Sequence, residues 1–289
     1  MSGVEEIRVL TEADQPQLVE LLLRHLESSL ILLSNVDRAG VVDDGKIFQG
    51  TYAGRFDAAG ALTAVAAHYW NGNVLMQGDV GLEDAVRLAC QRSGRAVGGF
   101  LGPRALVARA RQAIGVAQAP TKLDAQEQLF VLDLQRLAVP ELLSRPGVQW
   151  RFPTVDEAER VLVPWRVEYA VETLGATRDD GLREGSRDMV RGWLADRNLS
   201  VLTVDGEIVS MTGFNARARA VVQVGGVYTP PALRGRGYGR AVVAGSLLEL
   251  RGAGYQRSTL FTQESNAAAR RAYQALGYQV IGDYGLVFF

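Results

Sequence analysis

The chain has 289 residues, room for two ordinary domains or one large one, and its 47% hydrophobic content supports packed cores in place of extended disorder. With 31 basic and 32 acidic side chains the formal net charge is −1, so the basic excess of a nucleic-acid binder is missing. The single cysteine, Cys90, excludes an internal disulfide, and the two histidines, His25 and His68, leave no zinc-site spacing and no G-x-S-x-G elbow beside a histidine for a hydrolytic triad.

The opening segment, MSGVEEIRVL, has no basic region followed by a long apolar run, so it does not read as a secretory leader. Residues 7–10 are strand-like, and an amphipathic helix starts near Gln15. The most apolar window, residues 18–33, is interrupted by Glu20, Arg24, His25 and Glu27. That pattern suits an amphipathic or buried helix and not a membrane span, and a cytoplasmic location is expected. Strands are expected at 48–56 and 62–69 around a turn at Ala59-Gly60, and a third at 73–77. A helix (83–91), a strand (96–101), a helix (104–114) and a strand (127–134) complete the first half. Pro140 and Pro146 then break the pattern, which divides the chain into domains of residues 1–140 and 141–289.

In the second half Thr154 can cap a helix whose first turn holds Asp156 and Glu157, with Val161, Trp165 and Tyr169 at helical spacing. Met189, Trp193 and Leu194 mark a second helix. Strands at 199–204 and 207–214 flank Asp205-Gly206, a two-residue hairpin signal, and a third at 220–229 stops at Pro230-Pro231. Next come a helix from about 238 to 253, a strand at 258–261 and a helix at 266–276 closed by Gly277. A strand pair, 278–281 and 286–289, is expected to turn at Gly282-Asp283. The element order of the first half recurs in the second, as in a diverged internal repeat.

The segment LRGRGYGRAVV, Leu233 to Val243, leads into the 238–253 helix. A helix N-terminus offers unpaired N–H groups and the positive end of the helix dipole. Gly235, Gly237 and Gly239 permit close approach of an oxygen, while Arg234, Arg236 and Arg240 add forked positive charge. This chemistry suits a pyrophosphate. The P-loop pattern is absent, and Gly235-x-Gly237-x-x-Arg240 lacks the third glycine of the dinucleotide fingerprint. By itself the segment also reads as a flexible turn with solvated arginines. Its counterpart in the first half, GDVGLED (Gly78 to Asp84), keeps spaced glycines but carries acidic groups that repel phosphate.

A second constellation lies in SNAAARRAYQALGY. Asn266, Ala269 and Tyr273 fall on one face of a 3.6-residue helix. Separately, Asn266 suits an N-cap and Tyr273 a core aromatic. Together with the upstream loop they form a pattern: Arg234-x-x-Gly237-x-Gly239 resembles the Q/R-x-x-G-x-G/A motif of the GNAT superfamily of acyl-CoA-dependent N-acyltransferases. Asn266-x-x-Ala269-x-x-x-Tyr273-x-x-x-Gly277-Tyr278 resembles that superfamily's second motif. The motif match spans about residues 221–289, and the first half resembles a degenerate GNAT-like domain by element order alone. The fold class implied is α/β (α+β), two tandem GNAT-like domains, each a mixed, mostly antiparallel sheet flanked by helices.

The resemblance implies an N-acetyltransferase that moves an acetyl group from acetyl-CoA to a primary amine by direct attack. Acetyl-CoA would lie in a V between the 220–229 and 258–261 strands, along Val227, Tyr228 and Thr229. Its pyrophosphate would sit on Arg234, Gly235, Arg236, Gly237, Tyr238, Gly239 and Arg240, and its pantetheine arm against Asn266 and Ala269. The Val227 N–H would stabilise the developing oxyanion, and Tyr273 would face the departing sulfur. Full proton transfer from a phenol of pKa ~10 to a thiolate of ~8.5 is uphill by about 2 kcal/mol, which favours hydrogen bonding with late transfer.

Many relatives carry a glutamate eleven residues before the loop's first motif residue. Here Gln223 stands there, so the base would be a water chain or a carboxylate of the first helix, Glu168 or Glu172. With Trp165 and Tyr169 these glutamates would offer a cationic amine an aromatic and acidic surface. No metal, nucleic-acid or membrane partner is implied, and monomer or homodimer stays open. Gln223 also suits a non-catalytic acyl-CoA-binding or sensing protein, against which Tyr273 argues. A third reading is a tandem acyltransferase that resembles mycothiol synthase in having two GNAT-like halves.

Overall fold

The computed structural model describes residues Glu5–Phe289; the first four residues, part of the segment read above for a leader, lie outside the described residues. In chain order the main elements are β1 (Glu6–Val9), α1 (Gln15–Arg24), α2 (Leu26–Ala39), β2 (Gly50–Phe56), β3 (Leu62–Tyr69), β4 (Asn73–Gly78), α3 (Leu82–Ser93), β5 (Gly99–Pro103), α4 (Arg104–Ala113) and β6 (Leu123–Asp133). Then follow β7 (Val148–Arg151), α5 (Val155–Glu157), α6 (Val163–Leu174), α7 (Asp180–Ala195), β8 (Leu199–Val204), β9 (Glu207–Ala218), β10 (Val221–Tyr228), α8 (Tyr238–Gly252), β11 (Arg257–Gln263), α9 (Ala267–Gln274) and β12 (Gln279–Phe288). The chain forms two compact units. One holds the described residues through Leu129 together with Gly282–Phe289, and the other holds Phe130–Ile281.

In the first unit the strand order is β1-β2-β3-β4-β5-β12. The first four strands are antiparallel neighbours, β4 and β5 run parallel, and β12 returns antiparallel to β5 from Tyr284↔Pro103 to Phe288↔Gly99. Small side chains on the sheet and on α3 (Ala53, Ala64, Ala85, Ala89) pack with Met76, Phe100, Val107 and Val287 in a single core. On β2 and β3, Tyr52 and Tyr69 are fully buried and share a hydroxyl–hydroxyl hydrogen bond of 2.8 Å.

The strand pair expected around Gly282-Asp283 is instead one continuous strand, β12. None of residues 282–285 has positive φ, and the backbone runs through them as extended strand. Tyr284 and Leu286 are buried on the strand paired to β5 in the first unit, which extended backbone permits and a hairpin would forbid. At Asp205-Gly206, by contrast, φ is 50° and 88°, and β8 and β9 form the hairpin read from sequence.

The second unit begins its helical layer at Thr154. Its hydroxyl accepts from the Glu157 N–H at 3.3 Å, and the Glu157 carboxylate accepts from the Thr154 N–H at 2.8 Å, a reciprocal capping box. A π-helical turn at Ala158–Leu162 joins α5 to α6. The strands are ordered β11-β10-β9-β8-β7. Side-chain alternation splits them between two cores. Leu202, Phe214, Val222 and Val224 pack with Val243 and Leu247 of α8, while Val201, Met211 and Tyr228 pack with Leu162, Val190 and Trp193 on the α6–α7 side.

Candidate active site

The site starts from a failure of pairing. Strands β10 and β11 are parallel, yet their register comprises three pairs only, Val221↔Arg257, Val222↔Ser258 and Gln223↔Thr259, although β10 continues to Tyr228 and β11 to Gln263. Beyond Gln223, β10 stays paired to β9 with register shifts between Gln223 and Val224 and between Gly225 and Tyr228. Such irregularities bend a strand and end its pairing on one side. Gly226 lies in the bulge at φ +58°, and a Cβ there would stand 2.5 Å from the Trp193 ring. Trp193 of α7 thus fills the space that the missing side chain leaves, and it holds the strand bent.

The end of β10 runs straight into the glycine loop. A Cβ on Gly239 would meet the Thr229 hydroxyl at 3.4 Å and Val227 at 3.8 Å. Gly237 is the N-cap of α8 at φ +80° and Gly235 has φ +78°, left-handed values that favour glycine. Nothing lies within 4 Å of a Cβ built on Gly235, and only side-chain tips of Leu142 and Arg240, at 3.9 and 4.0 Å, come near one on Gly237. The first helical bond is from the Ala241 N–H to the Gly237 carbonyl, so the N–H groups of Tyr238, Gly239 and Arg240 precede the ladder at an open surface. Arg240 adds a sealed Nε without a hydrogen-bond partner. This donor set fits an anion with several oxygens.

The three loop arginines do different things. Arg234 turns back, donating from Nε to the Thr229 carbonyl at 2.9 Å and from Nη2 to Glu172 at 2.5 Å. Glu172 also accepts from the Tyr228 hydroxyl at 3.4 Å. Burial first, and then the Glu172 carboxylate, push the Tyr228 phenol up. Arg236 is exposed and makes one long contact to the Ala232 carbonyl. Tyr228, Thr229, Arg234 and Glu172 are therefore joined by direct contacts, and Val227 and Gly239 lie beside them with no room for more than a small side chain at Gly239.

Of the other expected residues, Trp165 touches that group, and Glu168, Gln223, Asn266 and Tyr273 make their contacts elsewhere. Glu168 forms a two-pronged ion pair with Arg178 at 2.5 and 2.9 Å, and those hydrogen bonds hold its carboxyl below the usual glutamate range. The Gln223 side chain is 1% exposed, and its Oε1 is sealed without a partner, as is Oγ1 of Thr259 opposite it in register. Asn266 caps α9 through Oδ1, which accepts from the Ala269 N–H at 3.0 Å, and its amide nitrogen does not take part in the cap. Tyr273 stacks edge-on between Phe130 and Tyr278, with centroids 6.4 and 5.9 Å away. Trp165 leans on Tyr228 at 5.9 Å.

Sequence reasoning missed Arg178, Trp193 and the Glu172–Arg234 pair, because each joins parts of the chain that no local pattern connects. In the first unit, the loop matching the glycine segment is covered by arginines from other elements of that unit. Arg109 of α4 binds both Glu83, at 2.6 and 3.0 Å, and Asp79, and the Arg55 stem lies 2.6 Å from where a Gly81 Cβ would be. Among the described residues no group of three or more His, Cys, Asp or Glu side chains could hold a metal ion, and no helix is long and apolar enough to cross a membrane.

A parallel pair that stops at Gln223 beside a glycine-lined helix N-terminus agrees with the sequence comparison. Residues 165–278 match the model of the Acetyltransferase (GNAT) family, so the second unit carries a GNAT domain. Among solved structures, a GCN5-related N-acetyltransferase from Sphaerobacter thermophilus is similar at 16% identity, with 98% of this chain and 94% of that one covered and a TM-score of 0.59. A Drosophila protein aligns over 99% of both chains at 13% identity and a TM-score of 0.65. A tandem GNAT protein from the clavulanic acid biosynthesis pathway aligns over 99% of this chain and 98% of its own at 13% identity and a TM-score of 0.57. At these identities the likeness is one of fold, and that fold is tandem GNAT along the chain. No curated protein matches the sequence.

Proposed function

We propose that the second unit transfers an acetyl group from acetyl-CoA to a primary amine. The observation that carries this reading is the three-pair limit of β10–β11 next to the open N-terminus of α8. The thioester supplies an activated acetyl group with a thiol as leaving group. The amides of residues 235–240, with Arg236 and Arg240, hold the pyrophosphate, while Arg234 shapes the loop from behind. Backbone groups of Val227, Tyr228 and Thr229 line the acyl and pantetheine end. Asn266 uses the amide nitrogen left free of its cap, and Ala269 leaves room beside it.

For the chemical step, the Val227 N–H follows the bulge at Gly226 and is released from the regular ladder, as an oxyanion donor requires. The Tyr273 hydroxyl hydrogen-bonds the departing sulfur. Removing a proton from an alkylammonium of pKa ~10.4 at pH 7 costs about 4 to 5 kcal/mol. Gln223 cannot take it. Glu168 is occupied by Arg178 and Glu172 by Arg234 and Tyr228, which favours a water chain to solvent over direct abstraction by either glutamate. The closed acidic loop of the first unit makes that unit a non-binding partner domain, with one donor site per chain. Release of free CoA thiol from acetyl-CoA with a panel of amines tests the proposal, and acetyl-CoA turnover with no amine accepted would refute it.

A further inference from the structure

The second unit buries a positive charge without an opposite one. Arg166 on α6 is 8% exposed. Its Nε donates to the Met189 sulfur of α7 at 3.1 Å, a weak acceptor, and its Cζ lies 5.0 Å from the Tyr169 ring. Nη1 is sealed and has no hydrogen-bond partner. Among the described residues Arg166 forms no ion pair and no hydrogen bond with a carboxylate. Burial pushes the guanidinium down from its ordinary range, and Tyr169 acts in the opposite direction. Arginine is the side chain least able to escape such a position by losing its proton. An unpaired buried charge is destabilising, and pairing with an anion of matching geometry removes the penalty.

Its neighbours locate the charge. Trp165, one residue earlier, rests on Tyr228 at the end of β10, and Glu172 on the same helix reaches Tyr228 and the loop. Helix α6 thus borders the strand end where the proposed reaction occurs. The acidic surface that sequence alone offered to a cationic substrate is already neutralised within the unit, Glu168 by Arg178 and Glu172 by Arg234. The charge left without a partner on this helix is cationic.

We infer that Arg166 receives a carboxylate of the acceptor, so that the substrate class is an amino acid or a related amino carboxylic acid and not a polyamine. The inference rests on the acyl-transfer reading above. A carboxylate matches the guanidinium fork with two parallel hydrogen bonds, which a phenol or a thioether cannot supply. It fixes one end of the acceptor and leaves the amine to project toward β10.

The test pairs each acceptor with its uncharged copy. Glycine, alanine, β-alanine, glutamate and phenylalanine are compared with their carboxamides in the full chain, with acetyl-CoA as donor and thiol release as readout. At least one acid is expected to exceed its amide more than tenfold in kcat/KM, with the difference mainly in KM. Arg166→Met is expected to bring that ratio to about one, and Arg166→Lys to retain part of it. Without ligand, the Tm of Arg166→Met is expected to rise, since a buried unpaired charge is replaced by an apolar chain; a purely structural arginine would give a fall. Equal use of acids and amides by the wild type overturns the inference and leaves amine acetylation standing. Failure of every acid and amide also overturns it, and acetyl-CoA binding measured alongside then reports whether the donor reading falls too.

Discussion

Arg234 Nη2 stands 2.5 Å from Glu172 Oε2, an ion pair between residues 62 positions apart that fastens helix α6 to the first residue of the glycine loop. Both side chains are partly exposed, so the pair contributes at most about 1 kcal/mol to stability. Its consequence is positional. The same carboxylate accepts from Tyr228, and the same guanidinium donates to the Thr229 carbonyl, so the helix, the strand end and the loop are tied at one point.

If Glu172 serves the loop and not proton transfer, Glu172→Gln should raise the KM for acetyl-CoA by roughly threefold, about 0.6 kcal/mol, without altering the shape of the pH–rate profile. Glu168→Gln should leave that profile unchanged as well. Steady-state kinetics between pH 6 and 9 decide the point. A fall in kcat of about 100-fold or more across that range in either variant would make that glutamate the base.

Tyr273→Phe should bind acetyl-CoA as wild type does and lower kcat by about 10- to 100-fold, the lower range of a lost general-acid contact. The ring contacts with Phe130 and Tyr278 survive in phenylalanine, so the fold is preserved. Turnover at the wild-type rate would remove Tyr273 from the chemistry.

At the bulge, Gly226→Ala forces a Cβ against Trp193 and strains a φ of +58°. The expected loss is about 2 to 3 kcal/mol of stability, measured as a lower urea midpoint. A paired variant, Gly226→Ala with Trp193→Phe, should recover part of it. If Gly226→Ala proves neutral, Trp193 does not hold the bend.

The first unit carries its own titration. Glu127 on β6 is 5% exposed, and burial pushes its carboxyl up to about 7. Between the unfolded value of about 4.5 and 7 the folded state holds a proton that the unfolded state has released, so stability falls as pH rises through that window. The loss is about 3 kcal/mol by pH 8. Glu127→Gln should flatten this dependence and be more stable than wild type at pH 8 but not at pH 4.5. Denaturant unfolding at the two pH values measures it.

What was legible in the sequence was local. The Thr154 cap, the Asp205-Gly206 hairpin and the two glycines that open α8 each depend on a few adjacent residues, and each formed as read. Gly282-Asp283 misled because turn residues permit a turn without requiring one; partners for Tyr284 and Leu286 on β5 decided in favour of extension. The charge state of the acceptor side was equally hidden. Glu168 and Glu172 look like free acids along the helix, and only Arg178 and Arg234, brought in from elsewhere, show that they are spent. Arg166 gives no sequence signal at all, since its isolation is defined by what does not surround it.

Calorimetric titration of the full chain with acetyl-CoA tests the central claim most directly. The expected result is one site per chain, lost in an Arg236→Glu/Gly237→Asp double variant, which puts two negative charges at the N-terminus of α8, and unaffected by Asp79→Asn in the closed loop of the first unit. No binding to the wild type, or binding undiminished in the double variant, would contradict it.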